Sequence, residues 1–327
     1  MKAVAVLCLI AGATGTTLLV ASFGFDTVSA TLLAVHWSGF LTICAYHLAL
    51  IALCGIAWSA LVPKPRRNVD FVWGRLLRDA GSEVLPLSQL GGYALGARAL
   101  TLTGVRGALA VASTIVDVTL ELLAQIAYTA LGVGLLLWQR PDTALARPVA
   151  FGLVAALLLA IGFIVAQRRG VGPAVRLMQR LAGEWLGPAA SVTGLHDAIG
   201  AIYRRGCGLS LGFLLHVAGW LAGAVEVWLA LHLMGLKIDL GAAIAIESLL
   251  YAIRSVAFLV PNALGVQEGA YVMLGALFGL NPEAALALSL LKRARDIALG
   301  VPILFAWQFV EGNRLLRQRP ADQQAAP

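Results

Sequence analysis

Seven charged residues interrupt a long apolar stretch in the last third of the sequence, where they could bind a polar ligand. Charged side chains at bilayer depth cost several kcal/mol, so they usually face a cavity, a partner or a substrate. Residues 261–269 also break the helical pattern, and irregular backbone survives at that depth only where protein or water covers it. The stretch therefore predicts a functional site inside a membrane. The charged residues are Glu247, Arg254, Glu268, Lys292, Arg293, Arg295 and Asp296.

The first charges of this stretch lack partners on their own helix. Glu247 and Arg254 share one helix face but lie about two turns apart, so each needs another partner, and Glu226 is a candidate for Arg254. Glu268 follows the break, at the start of the next helical segment. Free backbone N–H groups there could bind an anionic headgroup, while the Glu268 carboxylate would hold the loop or accept a cation or a hydroxyl group.

The last charges form a compact basic run. Lys292 and Asp296 can pair at i, i+4, which leaves Arg293 and Arg295 without local compensation. If this helix lines a cavity, the arginines would suit a phosphate or the acids above. The alternative is a helix end at the membrane interface, with the long side chains extending to water.

A second acidic pair lies in the first half of the chain. Asp117 and Glu121 are four residues apart and therefore share one helix face. Two carboxylates in a low dielectric cannot both stay ionised without a nearby cation. The pair is either a polar contact between helices, with Arg98 and Arg106 as candidate partners, or a site that couples a proton or another ion.

Enzyme and metal motifs are absent from the sequence. It contains no GxSxG elbow, no P-loop and no HExxH segment. The four cysteines form no CxxC pair, and the histidines have no metal-ligand spacing. The expectation is a protein without cofactor or metal that is not an enzyme.

Composition assigns the chain to the integral membrane proteins. Of its 327 residues, 60% are hydrophobic and 13% are charged, whereas soluble domains carry about 25% charged residues. The mean hydropathy is +0.85. We predict an all-α polytopic helix bundle in which residues 1–327 form one membrane domain. The net charge of +7 reflects arginines in loops between spans rather than nucleic-acid binding.

The apolar segments predict six full spans and two broken stretches. Basic loops place both termini in the cytoplasm, and the even number of spans then makes each broken stretch a re-entrant hairpin. The first hairpin would enter from the cytoplasm and the second from the outer face; in an alternative, residues 240–260 cross fully. The spans are 3–24, 39–61, 108–138, 149–166, 209–234 and 283–310, and the broken stretches are 83–102 and 240–280.

The two broken stretches resemble each other. Pro86 is followed by a Leu-Gly pair, as is Pro261, and each stretch leads into a long apolar helix with charges near its start. Paired interrupted segments indicate a transport site built on inverted repeats. The halves would be residues 1–170 and 171–327, and a chance likeness is the alternative.

Residues 69–90 and 171–203 are amphipathic and basic. Arg75 and Arg78 alternate with aromatic and aliphatic residues in the first of these segments. Such segments lie on membrane surfaces and attract anionic headgroups, or they fix topology by their positive charge.

Several motifs in the second half resemble a known family, the hopanoid-biosynthesis-associated membrane proteins HpnL. This group lies within the lysylphosphatidylglycerol-synthase transmembrane, or flippase-like, superfamily. The motif positions that the resemblance carries are Glu247, Arg254, Pro261, Gly265, Gln267, Glu268 and Arg293. Asn262 and Ala263 replace glycines that are common after the proline, and no aminoacyl-transferase domain is present, so lysyl transfer is not expected.

The resemblance implies a bacterial inner-membrane protein that handles a lipid. We predict a flippase-like transporter for hopanoids or related lipids with anionic headgroups, which would bind in a polar intramembrane cavity. The alternative is an accessory subunit that scaffolds lipid-biosynthesis enzymes, and a homo-oligomer fits both. Arg295, Asp117 and Glu121 complete the predicted transport site together with the motif positions.

Overall fold

A computed structural model of the protein describes residues 25–62, 67–84, 88–139, 146–169, 192–257 and 260–324. Apart from turns and loops, these residues are helical throughout and contain no strand, so the all-α membrane bundle is confirmed. In chain order the helices are α1 Phe25–Leu33, α2 His36–Leu61, α3 Asn68–Val84, α4 Ser88–Leu102, α5 Gly107–Gln139, α6 Ala146–Arg169, α7 Val192–Tyr203, α8 Gly206–Leu233, α9 Leu240–Val256, α10 Val266–Leu277 and α11 Pro282–Gln324.

Three of the predicted spans are helices long and apolar enough to cross a membrane, namely α2, α5 and α8. The span predicted at 149–166 lies in α6, whose apolar part at 151–167 is shorter. The span predicted at 283–310 is part of α11, a single helix of 43 residues that carries the basic run. The first predicted span, 3–24, lies outside the described residues.

The two broken stretches form pairs of short helices. In the second, α9 and α10 pack together and are joined through a single 3₁₀ turn at Pro261–Ala263. In the first, α3 and α4 pack along each other, and residues 85–87 between them, which include the predicted break at Pro86, lie outside the described residues. The first hairpin therefore begins at Asn68 rather than at residue 83, and it includes the segment that was predicted to lie on the membrane surface.

A glycine allows the two arms of the first hairpin to approach closely. A Cβ atom on Gly92 of α4 would lie 2.4 Å from the Arg78 carbonyl oxygen and 2.1 Å from Ser82 Oγ. Any other residue would therefore push α4 away from α3. This contact fixes the position of Arg78, whose side chain points into the bundle.

The ends of the two hairpins touch each other. Asn262, in the turn before α10, donates through Nδ2 to the backbone carbonyl of Glu83 near the end of α3, at 2.9 Å. Arg254 of α9 reaches the Glu83 carboxylate at 3.4 Å. Two interruptions far apart in sequence therefore meet in one place.

Apolar packing is concentrated at both ends of the bundle. One buried cluster joins the N-terminal part of α2 with the C-terminal parts of α5 and α8, and with residues of α9, α10 and α11. A second cluster joins the opposite ends of α2, α5 and α8 with α3, α4 and α7. The polar residues described below lie between these clusters, at the middle of the three long apolar helices.

The turn before α10 has an unusual backbone. Asn262 and Ala263 have φ values of 48° and 46°, and Gly265 has a φ of 78°. Residues with a side chain rarely adopt such values because Cβ approaches the backbone. Asn262 and Ala263 therefore adopt a backbone conformation that glycine adopts more readily.

We expect Gly265→Ala to lower the free energy of unfolding by about 1–2 kcal/mol, because Ala is strained at positive φ. The matched control is Gly269→Ala, four residues later in α10, where an added Cβ would meet nothing within 4 Å. Helical backbone favours Ala there by about 0.5–1 kcal/mol. Denaturant unfolding in detergent micelles measures both changes, and equal effects would contradict the assigned turn geometry.

Candidate functional site

A polar cavity of about 480 Å³ lies where the two hairpins meet. Its wall is formed by the middle of α2, α5 and α8, by α3 and α4 of the first hairpin, and by α9, the turn and α11. The charged lining residues are Arg75, Arg78, Asp79, Glu83, Glu121, Glu226, Glu247, Arg254, Lys292, Arg295 and Asp296, together with His47 and His216. A cavity of this composition can hold a polar group at mid-height in an apolar bundle.

The first group of charges joins α3 to α5. Arg78 donates through Nη1 to Asp117 Oδ2 at 2.6 Å and pairs through Nη2 with Glu121. Arg75 donates to Glu121 Oε1 at 2.7 Å and to Asp79 Oδ2 at 2.8 Å. The i, i+4 spacing predicted that Asp117 and Glu121 share a face, and both indeed bind Arg78. The suggested partners Arg98 and Arg106 are wrong.

The same group reaches α8 through a histidine. His216 Nε2 lies 2.9 Å from Asp117 Oδ1, and both side chains are fully buried. The Asp117 carboxylate therefore contacts an arginine from α3 and an imidazole from α8. These contacts lock three helices together around one acid. We call this group, made of Arg75, Arg78, Asp79, Asp117, Glu121 and His216, the first ion network.

Each of the three cations in the basic run of α11 contacts a different neighbouring helix. Successive residues of an α-helix are rotated by about 100°, so Lys292, Arg293 and Arg295 point in directions spread over about 160°. The acids that they meet come from three different helices. The pairs are Lys292 with Glu247 of α9, Arg293 with Glu268 of α10, and Arg295 with Glu226 of α8.

The Lys292–Glu247 pair lies in the wall of the cavity, and both side chains are buried. Glu247 also accepts a hydrogen bond from the Tyr271 hydroxyl at 2.7 Å, and that hydroxyl lies 2.9 Å from Lys292 Nζ. The predicted i, i+4 pair of Lys292 with Asp296 is wrong, because Asp296 instead binds Arg295 at 2.6 Å. Glu247 indeed finds its partner on another helix, as its distance from Arg254 predicted.

The Arg295 pair is extended by a second histidine. His47 Nδ1 on α2 lies 2.8 Å from Glu226 Oε2. Glu226 was considered as a partner of Arg254, and that assignment is wrong, because Glu226 binds Arg295 and His47. We call the group of His47, Glu226, Glu247, Lys292, Arg295 and Asp296 the second ion network.

Glu268 and Arg293 hold the strained turn rather than line the cavity. The Glu268 carboxylate accepts from the Gly265 N–H at 2.8 Å, from Ser289 at 3.0 Å and from Arg293 Nε at 2.6 Å. Arg293 also donates to the carbonyl oxygen of Asn262 at 3.3 Å. The prediction that Glu268 holds the loop matches this geometry, and its backbone-capping contact satisfies the start of α10.

Arg254 is the least tightly bound cation of the cavity. Its Nη2 lies 3.4 Å from both Glu83 carboxylate oxygens and 3.2 Å from Asn262 Oδ1, and no hydrogen bond within the described residues uses Nε or Nη1. Arg75 Nη1 is a buried donor that likewise has no hydrogen bond there. The two hairpins thus each present an arginine with unused donors.

Aromatic side chains line the cavity beside these cations. Trp220 of α8 packs edge-on against Tyr251 of α9, with ring centroids 4.6 Å apart. Arg254 and Lys292 lie over the Tyr251 ring at 5.5 and 5.6 Å. The cavity therefore combines hydrogen-bond donors with flat apolar surface.

The structure brings part of the predicted site together. Glu121, Glu247, Arg254 and Arg295 line the cavity, and Asp117 lies directly behind it. The remaining predicted residues surround the turn, where Pro261 begins the 3₁₀ segment and Gln267 donates to Ser289 at 2.9 Å. This second group, with Gly265, Glu268 and Arg293, shapes the cavity from outside.

Sequence reasoning missed four important residues. Arg75 and Arg78 were assigned to the membrane surface because they lie in an amphipathic segment, but both are buried in the bundle. No partner was predicted for His47 or His216. Their signal was present: each is a titratable residue near the middle of an apolar span, where such residues usually have a partner.

Among the residues that the structure describes, no group of His, Cys, Asp and Glu could hold a metal ion. The polar groups of the cavity are instead arranged as ion pairs between helices. Their chemistry suits the binding of a polar group.

The helices and the central cavity define a multi-pass membrane protein with a polar site enclosed by its helices. The family model described as the lysylphosphatidylglycerol synthase TM region matches residues 3–303, so the chain belongs to this family. No curated protein and no solved structure matches the chain.

Proposed function

We propose that this protein is a non-enzymatic membrane lipid transporter of the flippase type. A lipid headgroup would enter the cavity while the lipid tails stay in the bilayer. The observation that carries this proposal is the cavity at mid-height of α2, α5 and α8, lined by both signs of charge. Transporters bind substrates near the bilayer midplane between interrupted helices, and both hairpins reach this cavity.

Arginine nitrogens that have no hydrogen bond indicate which acceptor groups the lipid headgroup would carry. Arg254 on the second hairpin and Arg75 on the first each have a nitrogen without a hydrogen bond among the described residues. Phosphate and hydroxyl oxygens are the acceptors that such donors bind. The proposed ligand is a hopanoid or a related lipid with an anionic or hydroxylated headgroup, and the resemblance to HpnL supports a hopanoid.

The helix order supports an internal inverted repeat. An apolar helix, a pair of short helices and a long helix follow each other in α2–α5 and again in α8–α11. We propose that the halves at 1–170 and 171–327 are related in this way, in a bacterial cytoplasmic membrane with both termini in the cytoplasm. One hairpin would then enter from each side of the membrane, and the ends of the two hairpins would meet at the cavity.

Replacing Arg254 tests the site. Purified protein in phosphatidylcholine liposomes that contain a trace of fluorescent phosphatidylglycerol is expected to expose the label to an external quencher. Arg254→Gln keeps a polar side chain but removes the charge, and loss of a charge-assisted hydrogen bond should slow translocation by about tenfold or more.

The matched control for this experiment is Arg106→Gln. Arg106 is exposed and lies outside the cavity, so its variant should translocate label at the wild-type rate. Wild-type rates in Arg254→Gln would sink the site assignment. A wild-type protein that moves no label but copurifies with a lipid-biosynthesis enzyme would instead support the accessory role.

Lipid analysis of cells with and without the gene addresses the substrate. If loss of the gene leaves the total amount of a hopanoid unchanged but alters the leaflet or membrane in which it is found, the result supports transport. A hopanoid that disappears would point to a role in biosynthesis, and unchanged hopanoids would contradict this choice of lipid.

A further inference from the structure

We propose that His47 and His216 bind protons that move in exchange for, or together with, the transported lipid. This inference rests on the proposed transport function and adds a second ligand, the proton, to the same cavity. It is carried by the charge balance of the two ion networks. Each network contains one histidine, and both histidines line the cavity.

The first ion network has more carboxylates than strong bases. Three acids, Asp79, Asp117 and Glu121, face two arginines. The base that contacts this excess negative charge is His216, at 2.9 Å from Asp117. A proton on the imidazole makes the network neutral, and neutrality matters because uncompensated charge is costly in a membrane interior.

The second ion network has the same excess of one carboxylate over its strong bases, and it is made of different residues. Three acids, Glu226, Glu247 and Asp296, face Lys292 and Arg295. The additional base is His47, at 2.8 Å from Glu226. One proton on His47 again cancels the excess negative charge. The coincidence of composition in two networks from different helices favours a shared role over packing.

Other groups near the histidines do not already supply this charge. His216 is also contacted by Cys54 of α2, and His47 lies beside Asp79 and Glu83 of α3 in a smaller adjoining pocket. Arg254 is matched by Glu83. The further titratable groups in the same cavity are Tyr93 of α4 and Tyr251 of α9.

Charge balance couples the proton to the lipid headgroup. Each network is neutral when its imidazole carries a proton and negative when it does not, so a proton bound at the imidazole changes the charge that faces the cavity. An anionic headgroup binds better when the imidazoles are protonated, and a cationic one binds better when they are not. Coupling is reciprocal, so the headgroup changes proton affinity by the same factor.

The test uses the wild-type protein in phosphatidylcholine liposomes with fluorescent phosphatidylglycerol and an imposed pH gradient. One coupled proton and one pH unit shift the distribution of label between leaflets by up to about tenfold. A protonophore should abolish the shift. The His47→Asn/His216→Asn double variant is expected to distribute label independently of the gradient.

The matched control is His232→Asn on the same helix as His216. His232 is exposed, contacts the Trp228 carbonyl oxygen of its own helix and does not line the cavity. Its variant should respond to the gradient as the wild type does. A double variant that keeps the wild-type response would overturn the assignment of the histidines.

Further outcomes separate this proposal from the transport proposal. Wild-type protein that moves label without any response to the gradient contradicts proton coupling and leaves transport standing, whereas wild-type protein that moves no label overturns both. If the double variant is inactive, ¹⁵N-imidazole NMR of the wild type decides. A change in protonation of either histidine on lipid addition supports coupling, and unchanged protonation contradicts it.

Discussion

Lys292→Met is expected to lower the free energy of unfolding by about 3–5 kcal/mol, because it leaves the Glu247 carboxylate buried without its cation. Both side chains lie in the bundle interior, with exposed fractions of 7% and 1%. The Tyr271 hydroxyl alone cannot replace a full positive charge. Reversible unfolding in mixed micelles measures the loss.

A double-mutant cycle shows whether the loss comes from the unpaired acid. The Glu247→Gln/Lys292→Met double variant removes both charges and should recover most of the stability, to within about 1 kcal/mol of the wild type. Lys237→Met is the control, because Lys237 is exposed; its effect should stay within about 0.5 kcal/mol. Additive losses in the double variant would contradict a direct pair.

Arg78→Met is expected to cost a similar 3–5 kcal/mol, roughly, because it removes the cation shared by Asp117 and Glu121. Arg75 remains close, but its nearest contact with Asp117 is 3.8 Å. The variant should therefore lose stability and also loosen the first hairpin. Unfolding in mixed micelles and protease sensitivity between α3 and α4 measure the two effects.

Arg78→Lys separates charge from geometry at this position. A lysine keeps the positive charge but has no planar fork that can bind two carboxylates at once, so it should rescue only part of the loss. Arg106→Met is the control, since Arg106 is exposed and was the partner suggested by the sequence. A full rescue by lysine, or an equal loss in Arg106→Met, would disagree with the observed pairing.

Features that depend on residues close together in the sequence were predictable from the sequence. The i, i+4 spacing placed Asp117 and Glu121 on one face, and Pro261 with Gly265 located the break between α9 and α10. The position of Glu268 just after the break predicted that its carboxylate would hold the loop or accept a cation or a hydroxyl group, and it accepts from the Gly265 N–H of the turn. Each of these depends on contacts within a few residues, which helix geometry fixes.

Partners across helices were not predictable, because the sequence does not show which helices pack together. Lys292 was expected to pair with Asp296, and the arginines of α11 were expected to suit a phosphate or distant acids, but the sequence did not show which acid each cation meets. Residues 69–90 illustrate a second feature that the sequence alone did not predict, namely the location of an amphipathic segment. An amphipathic pattern indicates one polar face but does not tell whether it meets the membrane surface or a cavity, and Arg75 and Arg78 face the cavity.

The position of α11 at the end of the helix order has a consequence for biogenesis. Synthesis runs from the N-terminus, so Glu226, Glu247 and Glu268 enter the membrane before the helix that neutralises them exists. In the first half the order is reversed, since the arginines of α3 precede the acids of α5. A nascent chain that stops before residue 292 therefore lacks the cations that pair with these three acids.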